Sequence, residues 1–343
     1  MTLRQPDFPI SIAGHLLPLI AVLDRGGSPW WRALGRAGLP TEVADPQAFL
    51  PTCGIMRFID DMARREGLPD LGWRASQIPV SGAIHPLLRQ RLAQAPSLYA
   101  MLRVACESTD LQGTNLRLWL QRSHDELWFC HAGSVPASLP GAEQGEHFRL
   151  GQAIRIIRSF LGETWQPLWL WLASSRPLPQ PFVAYLGDCE IKRGMPYGVI
   201  PFPLHQIAAA PEPAAHSSFA PPPGDDWLDR VKAVLPSYLA SDRLTVPLMA
   251  EIAGLSPRNF QRLLAERGTS HRALLESARF EQARRMLSET GRSITEIARL
   301  TGYTDPSNFA RAFHRLAGRS PTEFRKDLQR RPDASPPGPV TDD

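Results

Sequence analysis

The sequence predicts an α+β N-terminal domain followed by an all-α C-terminal domain in which one helical unit occurs twice. Helical and strand periodicities alternate irregularly before residue 207. Prolines, alanines and serines replace any apolar periodicity between residues 208 and 226. After this break only helical spacing is found, and a pattern of residues recurs with an offset of 48 between Gly254 and Gly302. The length of 343 residues fits two domains of roughly 150 residues each.

The N-terminal elements follow from apolar spacing. Apolar residues recur every three or four positions where we predict helices, and alternate with polar residues where we predict a hairpin. The predicted helices are 11–23, 49–66, 96–106 and 148–161, the predicted hairpin is 116–129 with a turn at 123–126, and the predicted buried strands are 167–173 and 199–207.

These patterns divide the chain into an α+β domain at 1–207, a linker at 208–226, a helical domain at 227–329 and an expected disordered tail at 330–343. Residues 1–224 hold 19 basic and 18 acidic side chains, whereas 225–330 hold 18 and 13. The helical domain therefore carries an excess of +5, against +1 for the residues before it. Its carriers are mostly arginines, which suit bidentate contacts to phosphate or guanine, although genomic base composition can produce the same bias.

Each copy of the repeat reads as two helices joined by a glycine turn. The first helix (247–253; 294–301) ends at a glycine, which favours a left-handed conformation. Ser256 or Asp305 then supplies an N-cap, and Pro257 or Pro306 follows at the first helical position. This order predicts a helix-turn-helix, whose second helix enters the major groove of DNA.

The exposed positions of the two second helices carry base-reading chemistry. Arginine can contact guanine, and asparagine or glutamine can contact adenine. The same residues would look identical on an ordinary solvated helix face. The candidate DNA-binding residues are Arg258, Asn259, Gln261, Arg262, Ser307, Asn308, Arg311 and Arg315, and the apolar residues between them are expected to be core.

A single helix over 270–288, with Leu275, Arg279, Ala283 and Leu287 at four-residue steps, is predicted to join the two units. If it holds the recognition helices ~34 Å apart, they enter successive major grooves on one face of the duplex.

The C-terminal residues resemble the AraC/XylS family of bacterial transcriptional regulators. The resemblance rests on Ala250, Gly254, Ser256, Phe260 and Arg262 and on the long signature from Ile294 to Arg325. It implies base reading by Arg258, Gln261, Arg262, Ser307, Asn308 and Arg311. Gly268-Thr-Ser-His271 departs from the family pattern by lacking a proline. The resemblance also implies a promoter activator that contacts RNA polymerase.

The N-terminal region resembles the arabinose-binding-type effector domain of the same family, through Pro51, Phe58, the turn at 68–72 and the 116–129 hairpin. The implied partners are an unidentified small-molecule effector and a second copy of the chain. The sequence leaves two roles open for a group of aromatic residues, which either line an effector pocket or pack in the core. They are the tryptophan-rich residues 165–171 with Trp119, Trp128 and Phe129. Arg117, Arg155 and Arg158 either face an anionic effector or lie on the surface.

Other classes of protein are disfavoured. The sequence lacks a phosphate loop, a nucleophile elbow, a dinucleotide fingerprint and a Cys-x-x-Cys pair, so we expect no enzyme, no cofactor and no metal site, and read His124, Cys130 and His131 as structural. No apolar stretch reaches the ~20 residues of a membrane helix, and we expect a cytoplasmic protein. Two alternatives stay open: a ligand-binding or protein-interaction module that does not bind DNA, and a regulator whose N-terminal domain only dimerises.

Overall fold

The computed structural model describes residues 8–204, 207, 227–240 and 244–330. The chain divides into two compact units, Met1–Ser237 with Pro247–Pro257, and Tyr238–Val246 with Arg258–Asp343. The predicted linker, 208–226, lies outside the described residues, as does all but the first residue of the predicted tail. The domain boundaries of the sequence analysis therefore stay predictions.

The N-terminal region mixes helices and short strands, as the α+β prediction requires. Its strands are β1 (Ile10–Ile12), β2 (Phe49–Pro51), β3 (Leu116–Ser123), β4 (Glu126–Gly133), β5 (Trp169–Trp171), β6 (Glu190–Lys192) and β7 (Gly198–Pro203). Its helices are α1 (Leu17–Arg25), α2 (Trp30–Arg36), α3 (Thr52–Arg65), α4 (Leu71–Ser76), α5 (Pro86–Ala93), α6 (Leu98–Glu107), α7 (Ala142–Leu161) and α8 (Gln180–Leu186).

Five strands form the main sheet in the order β3-β4-β7-β5-β6, in which only β5 and β6 pair in parallel. The predicted hairpin is confirmed, since Ser123 pairs with Glu126 across a two-residue turn. Inward side chains of β3, β4, β5 and β7 pack with α6, α7 and α8 in one apolar core that includes Phe129, Ile154 and Phe182. The sheet and α7 are therefore the frame of the first unit.

Two of the predicted N-terminal helices begin later than the sequence indicated. Residues 10–12 form β1 and pair antiparallel with β2, so that Ile12 faces Phe49. The predictions of helix from residue 11 and from residue 49 are wrong at these starts. In both places long-range strand pairing overrides a helical pattern, and α1 and α3 begin near Pro18 and Pro51, consistent with the place of proline at helix starts.

After the undescribed stretch, α9 (Trp227–Val234) packs against β2 in the first unit. Its buried residues are Trp227, Leu228, Val231 and Val234. The hydroxyl of Ser237 donates a hydrogen bond to the backbone oxygen of Phe49 at 2.7 Å.

The C-terminal part of the chain is helical. Its remaining helices are α10 (Val246–Ile252), α11 (Pro257–Glu266), α12 (His271–Glu289), α13 (Ile294–Leu300), α14 (Pro306–Ala317) and α15 (Pro321–Arg330). A helix is present where residues 270–288 were predicted to form one; this helix, α12, begins after Gly268 in the left-handed conformation and after an N-cap at Ser270. The turn therefore forms without the proline that the family pattern carries.

A cluster of aromatic and aliphatic side chains holds α12, α13 and α14 together. Ala283 and Leu287 of α12 pack with Ile297 of α13 and with Phe309 and Phe313 of α14. On α12 the predicted stripe is shifted at its start, because Leu274 is buried whereas Leu275 is only half-buried.

Candidate DNA-binding surface

Helix α11 presents four of the predicted residues to solvent. It follows Gly254, whose φ of +66° is left-handed, and it begins at Pro257 as predicted. Phe260 and Leu264 are buried on one side. The rest of its surface, which includes Arg258, Asn259, Gln261 and Arg262, is exposed.

Helix α14 has the same plan. The carboxylate of Asp305 accepts a hydrogen bond from the backbone N–H of Ser307 at 2.9 Å, and Pro306 occupies the first turn, so the predicted cap is confirmed. Phe309 and Phe313 are each only 2% exposed. Ser307, Asn308, Arg311 and Arg315 are exposed around them.

Contacts from α12 and from residue 239 fix the turn that precedes α14. Gly302 is left-handed, with φ of +79°, and a Cβ there would lie 2.3 Å from the backbone oxygen of Leu239. The guanidinium of Arg279 lies 5.2 Å from the centre of the Tyr303 ring. Burial raises the pKa of Tyr303, so its phenol stays neutral. Arg279, one of the residues that recur at four-residue steps along α12, thus stabilises the turn.

Three of the predicted arginines have partners within the protein. Arg262 pairs with Glu266 at 2.7 Å, Arg311 donates to Asn308, and Arg315 pairs with Glu276. Neither Arg258 nor Gln261 has a hydrogen bond or an ion pair with any residue that the structure describes.

The sequence analysis missed the two acidic partners, Glu266 and Glu276. The i,i+4 spacing of Arg262 and Glu266 was a signal that could have found the first pair. The pair between Arg315 and Glu276 joins α14 to α12, and no local spacing predicts it.

The possible metal ligands of the hairpin do not converge. Neighbouring residues of a strand face opposite sides of the sheet, which separates Cys130 from His131. Among the described residues, no group of three or more His, Cys, Asp or Glu side chains is placed to hold a metal ion. Burial raises the pKa of the Cys106 and Cys130 thiols to about 12, so both thiols stay protonated near neutral pH.

The helices of the described residues include none with the length and apolarity to cross a membrane.

Comparison with known proteins places this geometry in a family. The family model for the arabinose-binding domain of AraC transcription regulator, N-term, matches residues 27–207, more than half of the chain. The chain belongs to the AraC family of transcriptional regulators. A second family model, for a helix-turn-helix domain, matches residues 249–327 of this AraC-family chain. The resemblance inferred from the sequence is confirmed for both regions.

Curated relatives of this AraC-family chain are transcriptional regulators, not enzymes. Transcriptional activator NphR of Rhodococcus sp is 37% identical over 103 residues, which are 30% of this chain and 31% of NphR. The arabinose operon regulatory protein of Escherichia coli strain K12 is 30% identical over 105 residues, 30% of this chain and 36% of that protein. The matches thus span about a third of each relative's length.

Solved structures with similarity to the AraC-family chain include the DNA-binding domain of AdpA in complex with a target DNA. It is 29% identical, with a TM-score of 0.28, and the match covers 32% of this chain and 99% of that one. The transcriptional regulator CdpR from Pseudomonas aeruginosa is 19% identical, with a TM-score of 0.39, over 91% of this chain and 98% of CdpR.

Proposed function

We propose that this protein is a sequence-specific promoter activator in which two helix-turn-helix units, joined by α12, read DNA through α11 and α14. One observation carries the proposal. Helices α11 and α14 each follow a left-handed glycine and begin at a proline. Each buries phenylalanine on one side and exposes arginine beside amide or hydroxyl side chains on the other. A helix of this kind can lay its exposed face in the major groove while the buried ring fixes its orientation.

The exposed residues match the hydrogen-bonding edges of bases. Arg258, Arg262 and Arg311 can each donate two hydrogen bonds to guanine, and Gln261 or Asn308 can pair with adenine. Each good bidentate contact is worth about 1–3 kcal/mol of discrimination between bases. The pair between Arg262 and Glu266 is 41% and 51% exposed, and exposed pairs contribute only about 0–1 kcal/mol. A base can therefore displace the glutamate at small cost.

The family assignment supports the remaining parts of the proposal. Residues 1–207 would bind a small-molecule effector and form a homodimer, and 208–226 would connect them to a DNA-binding domain at 227–329. The activator would contact promoter DNA and RNA polymerase in the cytoplasm. The arginines outside the reading helices would contact phosphates, which position a protein on DNA without reading its sequence.

Mobility shift of the full-length chain on DNA upstream of its own and neighbouring genes tests the proposal. We expect sequence-preferring binding whose affinity falls steeply with salt, because each phosphate contact releases a counterion. Binding that lacks both properties would instead favour a helical domain that docks another protein.

Alanine at Arg262 or Arg311 should change the preferred base at particular positions of a randomised site, by roughly 1–3 kcal/mol at each. Arg285→Ala is the matched control, since Arg285 is an exposed arginine of α12 that pairs with Gln282. It should leave the preferred bases unchanged. Unchanged preference in both reading-helix variants would reject the assignment of α11 and α14.

A further inference from the structure

The first unit contains a cavity of about 140 Å³, partly open to solvent, between α5, α6, α7 and the hairpin of β3 and β4. Twelve of its seventeen lining residues are apolar, among them Leu88, Met101, Leu118, Phe129 and Ile156. An engineered cavity of about 150 Å³ with a similar lining is large enough to bind benzene. The space therefore fits a small hydrocarbon group.

One wall of the cavity carries a positive charge that forms no ion pair with any residue in the described part of the chain. Arg149 of α7 is half-buried and lines the cavity beside Gln152, Ala153 and Ile156, which lie on the same side of the helix. Its Nε is buried without a hydrogen-bond partner, and it forms no ion pair with any described residue. Glu146, whose charge acts on Arg149, instead accepts hydrogen bonds from the backbone N–H groups of Ala173 and Ser174, at 2.8 and 2.9 Å.

A second lining residue, His131, is also buried with unpaired nitrogen atoms. It is 3% exposed, and both of its ring nitrogens lack hydrogen-bond partners among the described residues. Burial, followed by the charge of Arg149, lowers the pKa of His131 to about 3, so the ring is neutral and keeps one N–H to donate. Leaving such donors unpaired in the protein interior costs free energy unless a ligand or water pairs with them.

Glycines make room for both side chains. A Cβ at Gly198 would lie 2.3 Å from Nε2 of His131, and one at Gly133 would lie 3.2 Å from Nη2 of Arg149. A Cβ at Gly145 would approach Nη1 of Arg149 to 3.4 Å. The backbone is thus adapted to the two polar side chains.

We propose that this cavity is the effector site and that it binds a small apolar monocarboxylate, with the carboxylate on Arg149 and His131 and the hydrocarbon against the apolar wall. The inference rests on the proposed role of residues 1–207 as an effector domain. An anion supplies the missing counterion of Arg149, and a planar carboxylate matches the planar guanidinium. A pentose fits poorly, because its several hydroxyl groups would face a wall that offers few partners.

The cavity differs from the regions that the sequence suggested for an effector. Of the aromatic residues named there, Phe129 lines it, whereas Trp128, Trp169 and Trp171 contact one another and are not among the lining residues. Arg158 is structural, since it donates to the backbone oxygens of Trp165 and Tyr185 at 2.8 Å each.

Titration calorimetry on the full-length chain tests the proposal with four probes: benzoate, phenylacetate, 3-methylbutanoate and hexanoate. We expect at least one to bind, and its uncharged amide to bind roughly tenfold more weakly or worse, because hydrogen bonds to charged groups are the stronger class. Three results would overturn the proposal. None of the four probes binds at concentrations up to about 1 mM, an acid and its amide bind equally well, or L-arabinose binds and the four probes do not.

Substitution then locates the site. Arg149→Met keeps an unbranched, though shorter, side chain and removes its charge, and it should weaken carboxylate binding by roughly tenfold or more. Arg155→Met on the same helix, whose residue does not line the cavity, should bind as the unchanged protein does. Unchanged affinity in Arg149→Met would overturn the proposal. If this variant does not fold, the comparison of acid with amide on the unchanged protein still decides.

Mobility shift of the same preparations separates the two proposals. Binding to DNA without any response to the carboxylates would leave the DNA-binding function standing and reject the effector site. Carboxylate binding without any binding to DNA would leave the effector site standing and reject the DNA-binding function.

Discussion

Replacing Gly302 with alanine tests whether the turn before α14 depends on a missing side chain. At φ of +79° an alanine is strained by about 1–2 kcal/mol. Its Cβ would also lie 2.3 Å from the backbone oxygen of Leu239, a residue with no exposed surface. Relieving such overpacking costs about 1–3 kcal/mol. We therefore expect a destabilisation of about 2–5 kcal/mol.

The other copy of the repeat supplies the control. Gly254 has a similar φ of +66°, but no described atom lies within 4 Å of its would-be Cβ. Gly254→Ala should therefore cost only the backbone strain, about 1–2 kcal/mol. Because Gly254 belongs to the first unit and Gly302 to the second, each cost is taken from the transition of its own unit, and the excess for Gly302→Ala measures the contact with Leu239.

Urea unfolding of the full-length chain resolves this difference. All nine tryptophans lie at or before residue 227, so tryptophan fluorescence follows the first unit, whereas far-ultraviolet circular dichroism follows helices of both. Gly302→Ala should shift the circular dichroism transition and leave the fluorescence transition in place. Equal effects of the two alanines, or a shift in fluorescence alone, would refute the role given to Gly302.

Three further predictions concern the pH response, the helix cap and the core. Burial lowers the pKa of His131 to about 3 and of His147 to about 4, so the unfolded chain binds protons that the folded state does not. Stability should fall below pH 6.5, by roughly 2 kcal/mol per histidine at about pH 5, in fluorescence-detected urea unfolding; a constant stability would contradict this. Asp305→Ala removes the cap on Ser307 and should cost about 1 kcal/mol by circular dichroism, whereas Asp305→Asn should cost less. Phe309→Ala should cost about 3–5 kcal/mol and abolish DNA binding, and a stable variant that still binds DNA would show that the ring does not position α14.

The helical C-terminal part was largely predictable because its signals are local. Glycine, cap and proline stand within a few residues of each other before α11 and α14, and each acts on the backbone next to it. The ion pair between Arg315 and Glu276 was not predictable, because it depends on the packing of two helices.

The N-terminal region was less predictable, since its short strands depend on distant partners. Residues 10–12 are extended because they pair with residues 49–51, and no local pattern encodes that pairing. Pro18 and Pro51 are local signals that the sequence analysis did not use, and both mark the start of a helix that was predicted to begin earlier.

The cavity could have been indicated by one residue. Arg149 stands at the helical spacing of Ala153 and Ile156, so a charge lies in line with half-buried apolar residues of α7. A charge at such a position signals a buried partner or a ligand. The identity of the facing strand residue, His131, required the fold.

Three arginines of the proposed reading helices, α11 and α14, are already paired within the protein, which bears on how the chain would search DNA. Arg262, Arg311 and Arg315 contact Glu266, Asn308 and Glu276 respectively, and these partners would compete with DNA if the arginines read it as proposed. The interaction free energy of an arginine with a lone phosphate is about that of its internal pair, so random DNA would gain little affinity from these arginines. A guanine that accepts two hydrogen bonds offers more. If α11 and α14 read DNA as proposed, self-pairing removes most of the affinity that these arginines would add to random DNA, whereas a guanine still displaces the internal partner.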